Sequence, residues 1–417
     1  MRVAINAWFW DRPGTGSGQY TRRLVEHLAM LAPDLEILLV APDERRLRVS
    51  SSRFRGSERA QRETPNVKPE TRKLSKVWFE QIGFPRACRR LGADLAHVPY
   101  WAPPLRPLVP TVVTIHDLIP LVLEAYRGGP LVRLYTALVS ASARRAALVL
   151  TDSEASRRDI VARLGLPEAR VRTVYLAAGE QYTPTPPEGE PHGWDEVRAR
   201  YGLPERYVLY LGGFDVRKNV ATALATYRWA GPAIGAECPL VVAGRLPERD
   251  TAFAPDPRRL LRERNQVFSE KPGFWPAFVR FIGFVREADK PALYRGAVAF
   301  LFPSRYEGFG LPPLEACACG VPVVGSDAAS IPEVVDDGGV LLPPDDAQGM
   351  ASALIRLATD DDFRSRLSRR ALVQAARFSW ERTASETLMA YRAVASQARK
   401  DTPPAPAVSP GGGTPPP

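Results

Sequence analysis

The stretch Ser304-Arg-Tyr-Glu-Gly-Phe-Gly-Leu-Pro-Pro-Leu-Glu315 follows a short apolar run at residues 297–302. An unbroken apolar run of this length predicts a parallel strand that is buried on both faces. Gly308 and Gly310 permit a tight turn, and Pro312 suits the first turn of a helix. The sequence therefore predicts a strand, a tight loop and a helix. Such a unit can bind an anion, because a helix N-terminus favours phosphate.

Two glutamates, eight residues apart, flank this turn. We expect the amides of Phe309, Gly310 and Leu311 to hold a diphosphate at the helix N-terminus. Glu315, predicted in the first helical turn, would accept hydrogen bonds from both hydroxyls of a ribose, and Glu307 from hydroxyls of a transferred sugar. The alternative is that Glu315 only complements the helix dipole and that Glu307 is a solvated loop residue. In this context the pattern favours a nucleotide-sugar site.

The same segment resembles the E-x7-E signature of retaining glycosyltransferase family 4, whose members have the GT-B fold. Residues 112–119 are similar to the family's strand that ends in an active-site histidine, here His116. Residues 212–219 are similar to its basic diphosphate-binding loop. Further similar stretches lie at residues 279–285, 330–334 and 378–380, so the resemblance covers about residues 1–398.

The resemblance implies an α/β protein of GT-B type, with two doubly wound Rossmann-like domains that face each other across a cleft. It implies that His116 hydrogen-bonds the reacting sugar. Arg217 and Lys218 are expected to balance the leaving diphosphate, since two cations at a helix start oppose the dipole unless an anion binds there; the alternative is a solvated helix start. The predicted catalytic residues are His116, Glu307, Arg217 and Lys218. The predicted donor-binding residues are Gly16, Ser17, Gly213, Gly283, Phe284, Val285, Phe309, Gly310, Leu311 and Glu315.

A chain of 417 residues suits two domains. We expect an N-terminal acceptor-side Rossmann-like domain at residues 1–180, a proline-rich linker at 181–193 and a nucleotide-sugar donor domain at 194–378. A helix at 379–400 is expected, by the resemblance, to cross back to the first domain, and the tail at 401–417 to be disordered. Strands are predicted at residues 1–7, 35–41, 95–98, 109–115, 147–151, 171–175, 207–211, 240–243, 279–282, 298–302 and 321–324.

Composition limits the function classes. Hydrophobic residues make up 45% of the chain, but no apolar stretch has the length of a membrane span, and the N-terminus lacks the pattern of a signal peptide. We therefore expect a cytoplasmic enzyme. The net charge of +10 is spread along the chain without a nucleic-acid-binding module, so no nucleic acid is expected. The four cysteines show no metal-ligand spacing and are expected to be reduced and buried.

A basic segment at residues 44–76 carries eleven lysines and arginines against four glutamates. It predicts contact with an anionic or lipid-diphosphate acceptor at a membrane surface, which would make the enzyme peripheral on the cytoplasmic face. The equal alternative is a solvated loop.

Two other motifs are weighed against plainer explanations. The run from Gly14 to Gln19 approaches a dinucleotide fingerprint but lacks glycine at its last position. It is interpreted as a loop whose amides close on the donor phosphates or the acceptor, or as a plain turn. Asp360-Asp-Asp362 contains a D-x-D pattern, but it directly precedes a helical pattern, where aspartate caps free N–H groups. No metal and no cofactor are therefore expected.

The function predicted from these residues and the resemblance is transfer of a hexose, with retention of anomeric configuration, from a nucleoside diphosphate sugar to a sugar or lipid-linked oligosaccharide in polysaccharide or glycoconjugate biosynthesis. GDP-mannose is the favoured donor, and UDP-glucose stays open. The alternatives are a GT-B-type sugar phosphorylase or epimerase and a non-catalytic nucleotide-sugar-binding module.

Overall fold

The computed structural model describes residues 1–12, 14–42, 46–49, 69–188, 193–266 and 276–401. Seven strands form its first sheet. The strands are β1 (Arg2–Asn6), β2 (Glu36–Val40), β3 (Arg46–Val49), β4 (Leu95–Val98), β5 (Thr111–Thr114), β6 (Leu148–Thr151) and β7 (Val171–Thr173). Their order is β3-β2-β1-β4-β5-β6-β7, and every pairing is parallel except that of β3 with β2. The antiparallel edge strand β3 was not predicted, because its alternating arginines offer no apolar run.

The helices of the first half are α1 (Gly16–Leu31), α2 (Pro69–Trp78), α3 (Phe84–Arg90), α4 (Ile119–Val122), α5 (Pro130–Ala143) and α6 (Glu154–Leu164). Helix α1 begins at Gly16, inside the glycine run. Thr15 caps it by accepting a hydrogen bond from the amide of Gly18 at 3.2 Å. The glycine run is therefore a helix start rather than an extended loop.

The second sheet has six strands: β8 (Val208–Leu211), β9 (Leu240–Ala243), β10 (Val279–Gly283), β11 (Ala299–Phe302), β12 (Val323–Ser326) and β13 (Gly339–Leu342). The order is β10-β9-β8-β11-β12-β13, and all pairings are parallel. The four inner strands are buried along their whole length, which accounts for their unbroken apolar sequences. Strand β13 was not predicted, because only three of its residues are apolar.

The helices of the second half are α7 (Trp194–Tyr201), α8 (Val220–Ile234), α9 (Pro257–Gln266), α10 (Lys290–Arg295), α11 (Leu311–Ala318), α12 (Ile331–Val335), α13 (Ala347–Thr359), α14 (Asp361–Ala375) and α15 (Trp380–Asp401). Asp360 caps α14 by accepting from the amide of Phe363 at 2.8 Å, as the capping interpretation of the D-x-D pattern requires. None of the four cysteines forms a disulfide and all are buried, as expected.

Helix α15 packs along the first sheet's side of the molecule. Thr383 donates a hydrogen bond to the carbonyl of Tyr175 at 2.7 Å, and the Tyr391 hydroxyl lies 2.6 Å from Nδ1 of the buried His97. Residues 402–417 of the predicted tail, 189–192 of the predicted linker, and 44–45 and 50–68 of the basic segment lie outside the described residues. Among the described helices, none has both the length and the apolar character that a membrane crossing needs.

In both sheets the strand order reverses beside the first strand of the domain, between β1 and β4 and between β8 and β11. Ligands of doubly wound sheets bind outside the carboxyl ends of the strands at this point. The loops that follow β5, β8 and β11 therefore carry their side chains to the space between the two sheets. This is the edge on which His116, Arg217 and Glu307 lie.

Candidate active site

A cavity of about 710 Å³ lies between the two domains. The first domain lines it with the start of α1 and with the loop after β5, and the second domain lines it with the loop between β11 and α11. Of the predicted site residues, the lining includes Gly16, Ser17, His116, Glu307, Phe309, Gly310, Leu311 and Glu315. Residues predicted from distant parts of the sequence therefore meet at one cleft.

The loop between β11 and α11 presents backbone donors to this cavity. Gly310 has a φ of +109°, a conformation that side chains rarely adopt, and it precedes the first residue of α11. Within the described chain, no acceptor takes a hydrogen bond from the amides of Phe309, Gly310 or Leu311. The next N–H along the chain after two prolines, that of Leu314, bonds the carbonyl of Gly310 at 3.2 Å. Three donors at a helix N-terminus are thus available to an anionic ligand.

Glu307 lies at the bottom of the loop and is only 8% exposed. Its carboxylate is 2.5 Å from Nη1 of Arg217 and 2.8 Å from Nζ of Lys218, and Ser304 donates a hydrogen bond to it at 2.6 Å. Burial alone would raise the pKa of Glu307, but the charges of Lys218 and Arg217 lower it below its ordinary value. Glu307 is therefore a buried carboxylate that stays ionised, and the two cations predicted to face the diphosphate are in the structure paired with it.

Glu315 differs from the prediction in its position. It is the fifth residue of α11 and so lies beyond the first turn, because the helix begins at Leu311. The hydroxyl of Tyr294 donates a hydrogen bond to its carboxylate at 2.9 Å. Burial raises the pKa of Glu315 to about 7, the charge of Glu287 adds to this, and Lys290 opposes it. The carboxyl can therefore change its charge near neutral pH.

His116 follows β5 and lies beside the cavity with its ring partly exposed. Nδ1 is 2.7 Å from the Asp152 carboxylate, and Nε2 is 3.2 Å from the carbonyl of Pro99. Burial alone would lower the pKa of His116, but the charge and hydrogen bond of Asp152 raise it, and the net pKa lies above the ordinary value. Both ring nitrogens already have protein partners, so a bond from His116 to a sugar hydroxyl would replace the contact with Pro99.

Four predicted donor-binding residues do not line the cavity. Gly283, with φ +74°, accepts from the amide of Gly244 at 2.8 Å where β10 ends. Phe284 is 60% exposed, and Val285 is buried. The carbonyl of Gly213 accepts from the Tyr210 hydroxyl at 2.9 Å. The loop after β10 still reaches the cavity, because Glu287, two residues beyond Val285, is part of the lining.

Several residues that shape the site were missed by the sequence analysis. Asp152, the partner of His116, directly follows the predicted strand at 147–151, so its position at the same sheet edge was available as a signal. Tyr182 and Tyr294, which lie near Glu315, had no such signal, because their contacts are made across the tertiary structure. The cavity lining also includes Arg22, Arg23, Asp117, Glu287 and Trp380.

The first domain also contacts the active-site loop directly. The hydroxyls of Ser153 and Ser156 donate to the carbonyl of Gly308 at 2.6 and 3.1 Å. A Cβ atom placed on Gly308 would lie 2.5 Å from the carbonyl oxygen of His116. A glycine is therefore required where the two halves of the site meet.

Comparisons with known proteins agree with this architecture. Residues 205–360 match the sequence family described as glycosyl transferases group 1, and residues 14–177 match glycosyltransferase family 4. The chain is 34% identical over 283 residues to O-antigen chain mannosyltransferase B of Escherichia coli, and the alignment covers 67% of this chain and 70% of that protein.

Solved structures share the fold. The sucrose-phosphate synthase of Thermosynechococcus elongatus has a TM-score of 0.66 at 21% identity and covers 95% of this chain and 100% of its own. Anabaena HepE in complex with UDP and glucose has a TM-score of 0.63 at 15% identity, with 94% and 100% covered. Together with two opposed doubly wound sheets, these likenesses establish the GT-B fold. From the family matches in both halves and the O-antigen relative, the chain is a hexosyltransferase and belongs to glycosyltransferase family 4.

Proposed function

We propose that this enzyme transfers a hexose, with mannose favoured, from a nucleoside diphosphate sugar to a sugar or lipid-linked oligosaccharide acceptor in polysaccharide or glycoconjugate biosynthesis. The observation that carries the proposal is that three unpartnered amides and two glutamates of opposite pKa shift line one cavity between the domains. The amides match a diphosphate, and the two carboxyls match the hydroxyls of two rings.

The donor would lie with its diphosphate at the N-terminus of α11. Glu315 would accept from the ribose hydroxyls, and Glu307 would accept from a hydroxyl of the transferred sugar. Arg217 and Lys218, held against Glu307, would place positive charge beside the leaving diphosphate as its charge increases in the transition state.

Retention would follow from attack on the same face of the sugar that the diphosphate leaves. Glu307 is held by two cations and a serine hydroxyl, so its oxygens are not free to attack the anomeric carbon. In this mechanism the bond from the anomeric carbon to the phosphate oxygen breaks, the acceptor oxygen bonds the same carbon, and the leaving phosphate oxygen takes the acceptor's proton. The anomeric configuration of the product, measured by proton NMR at first turnover, tests this: an inverted product excludes it.

The transfer is proposed to need no divalent metal, because Arg217, Lys218 and the α11 dipole supply the positive charge that a metal would provide. Treatment with EDTA is expected to reduce turnover less than twofold. A loss of turnover that Mg²⁺ or Mn²⁺ restores would contradict the proposal.

Support for mannose comes from the O-antigen chain mannosyltransferase relative. UDP-glucose is the alternative donor, since one structural neighbour, HepE, was solved in complex with UDP and glucose. A thermal-shift panel of GDP-mannose, UDP-glucose and their nucleotides would rank the donors, because a ligand that binds only the folded state raises Tm. Slow hydrolysis of the best donor without acceptor would separate a transferase from a non-catalytic binding module, which would release no nucleotide.

Peripheral contact with the cytoplasmic face of a membrane is part of the same proposal. The described C-terminal part of the basic segment lies on α2, where Leu74 and Trp78 are exposed, and the adjoining α5 exposes Leu131 and Leu134. Lys76 links the two helices by donating to the hydroxyl of Tyr135 at 2.9 Å. The double variant Leu74→Glu, Trp78→Glu is expected to lose co-sedimentation with anionic vesicles, and unchanged binding would remove this part of the proposal.

A further inference from the structure

Helix α1 carries a buried histidine with one ring nitrogen unused. His27 is 3% exposed, and its Nδ1 lies 2.8 Å from the carbonyl of Arg23. A carbonyl only accepts, so Nδ1 carries a proton, and in the neutral ring Nε2 presents a lone pair. Within the described residues this Nε2 has no hydrogen-bond partner. A carbonyl on Nδ1 is also the usual arrangement behind a histidine that binds a metal through Nε2.

Two carboxylates face this nitrogen from two other segments. The Nε2 atom is 3.6 Å from a carboxylate oxygen of Glu180 and 3.9 Å from one of Glu381, and the three atoms lie within 4.8 Å of one another. Both glutamates are more than two-thirds exposed, so their side chains can adjust. The ring of Trp380 packs beside the imidazole at a centroid distance of 6.0 Å and restricts its rotation.

The geometry points to a divalent-cation site formed by His27, Glu180 and Glu381, with Zn²⁺ as the cation that suits one imidazole and two carboxylates. Tetrahedral zinc with bonds of about 2.0–2.1 Å keeps its ligand atoms about 3.3 Å apart. The distances of 3.6 and 3.9 Å from Nε2 to the two carboxylates exceed this by less than 1 Å, and the two exposed carboxylates, whose oxygens lie within 4.8 Å of each other, can move the rest of the way by side-chain rotation. Two carboxylates neutralise a dication, and a water molecule would complete the coordination. The site is separate from the residues assigned to the donor.

The position of the three ligands gives the site a mechanical role. His27 lies on α1 of the first domain. Glu180 lies between β7, the last strand of the first sheet, and α7 of the second domain, and Glu381 is the second residue of α15. A cation bound there would connect α1 to both of the segments that run between the domains, the one that contains Glu180 and the start of α15. Such a tie would limit the angle through which one domain can turn against the other.

A calorimetric titration of the EDTA-treated, tag-free full chain with Zn²⁺ alone tests the inference. We expect one Zn²⁺ per chain with a Kd of about 10 μM or tighter, and a rise in Tm, because the cation binds the folded state. Glu180→Gln and Glu381→Gln each remove an exposed ligand without disturbing the core. Each is expected to weaken Zn²⁺ binding at least tenfold.

Glu188→Gln is the matched control, since it removes an exposed carboxylate that follows Glu180 by eight residues, and it is expected to bind Zn²⁺ like the wild type. The competing explanation is a protonated His27 paired with the two glutamates. In that case the wild type would bind no Zn²⁺ below millimolar concentration, and the inference would be overturned. Equal Zn²⁺ affinity in the wild type and both ligand variants would also overturn it. Neither outcome bears on donor binding, so the proposed function is tested separately.

Discussion

Glu307 and Glu315 are eight residues apart and have opposite shifts in pKa. Glu307 is as buried as a core residue but is surrounded by Arg217, Lys218 and the Ser304 hydroxyl, which favour its charged form. Glu315 is surrounded by the aromatic hydroxyl of Tyr294 and by a second carboxyl, so burial dominates. One carboxyl therefore stays ionised at neutral pH, and the other titrates near neutrality.

Donor binding is expected to depend on pH through Glu315. An ionised carboxylate accepts more hydrogen bonds from ribose hydroxyls than a protonated one, and the ionised fraction rises as pH increases through about 7. The affinity for a nucleotide sugar should therefore increase up to about tenfold between pH 6 and pH 8. Calorimetric titration at each pH measures this affinity. An intact nucleotide sugar is used because its diphosphate does not titrate in this range.

The Glu315→Gln variant is the control for this dependence. It should bind the donor more weakly at pH 8 and show a flat pH profile. A pH dependence retained in the variant would assign the titration to another group.

Replacement of Glu307 by glutamine should reduce both stability and turnover. Arg217 and Lys218 would be left beside a neutral amide, at an expected cost of about 2–4 kcal/mol in the free energy of unfolding at pH 7. Because the pKa of Glu307 is lowered in the folded protein, its contribution is present above the unfolded value of about 4.5 and is lost as pH falls through the folded pKa. Urea denaturation at pH 7 and pH 4 measures the difference.

The stability difference between Glu307→Gln and the wild type should therefore shrink at pH 4, and turnover at pH 7 should fall at least 100-fold. Glu205→Gln, at an exposed position of the same domain, is expected to change neither quantity. A difference that is equal at both pH values would show that the ion pairs do not stabilise the fold.

At the scale of secondary-structure elements, short capping and turn residues determine where helices start. Thr15 and Asp360 each accept a hydrogen bond from an amide three residues later, and Gly310 provides the left-handed turn before α11. Each of these positions is visible in the sequence. The starts of α1 and α11, which Thr15 and Gly310 specify, lie at the cavity.

Asp360→Ala should destabilise α14 without affecting catalysis. Loss of the cap on the Phe363 amide is expected to lower the Tm by a few degrees. Asp362→Ala, which removes a carboxylate from the same run without a cap, should be close to wild type in stability. If both variants lost activity and kept their stability, the D-x-D pattern would be a metal site instead.

Gly308→Ala should uncouple the loop from the first domain. The new methyl group would meet the His116 carbonyl at 2.5 Å, a backbone contact that cannot move aside. Because the clash lies between domains rather than inside one core, turnover is expected to fall more than tenfold while Tm changes little. Gly129→Ala, where no atom lies within 4 Å, serves as the control in the same turnover and melting assays. Turnover close to that of the wild type in Gly308→Ala would show that the close contact between residue 308 and the His116 carbonyl is not needed for catalysis.

At the scale of the whole molecule, one side chain of the second domain accepts hydrogen bonds from the N-terminal amides of a helix in the first domain. The Glu333 carboxylate accepts from the amides of Glu154 and Ala155 at 2.8 and 2.7 Å, and from the Tyr175 hydroxyl at 3.1 Å. A negative charge at the N-terminus of α6 is favoured by the free amides and the helix dipole. The contact therefore holds the two domains together beside the cavity.

Glu333→Gln should favour a more open arrangement. Its amide group would place a donor against a backbone donor, so at least one of the three hydrogen bonds is lost. We expect a larger radius of gyration in small-angle X-ray scattering and a KM for the donor raised several-fold. Asp337→Asn, which alters an exposed ion pair with Arg370 in the second domain, should leave both unchanged. An unaltered radius would mean that other contacts keep the domains closed.

Most of the fold could be predicted from local pattern, because buried parallel strands require unbroken apolar runs and helices require their own periodicity and caps. The two unpredicted strands, β3 and β13, lie at sheet edges. An edge strand pairs with only one neighbouring strand and does not need an unbroken apolar sequence, so its sequence pattern is weak. Glu315 was predicted in the first turn of α11 and is the fifth residue of that helix, one residue beyond the first turn, because the helix begins at Leu311, directly before the two prolines.

By itself, the sequence determined the alternating strands and helices, the loop with its two glutamates and the capping aspartate, since each depends on residues close together in the chain. The tertiary structure alone decided that Arg217 and Lys218 pair with Glu307, about 90 residues away, that Asp152 orients His116 and that Glu333 caps a helix of the other domain. These contacts depend on which strand ends are adjacent and how two sheets face each other. The charge of each site residue follows from that arrangement, because burial and neighbouring charges shift its pKa away from the value that residue type alone gives.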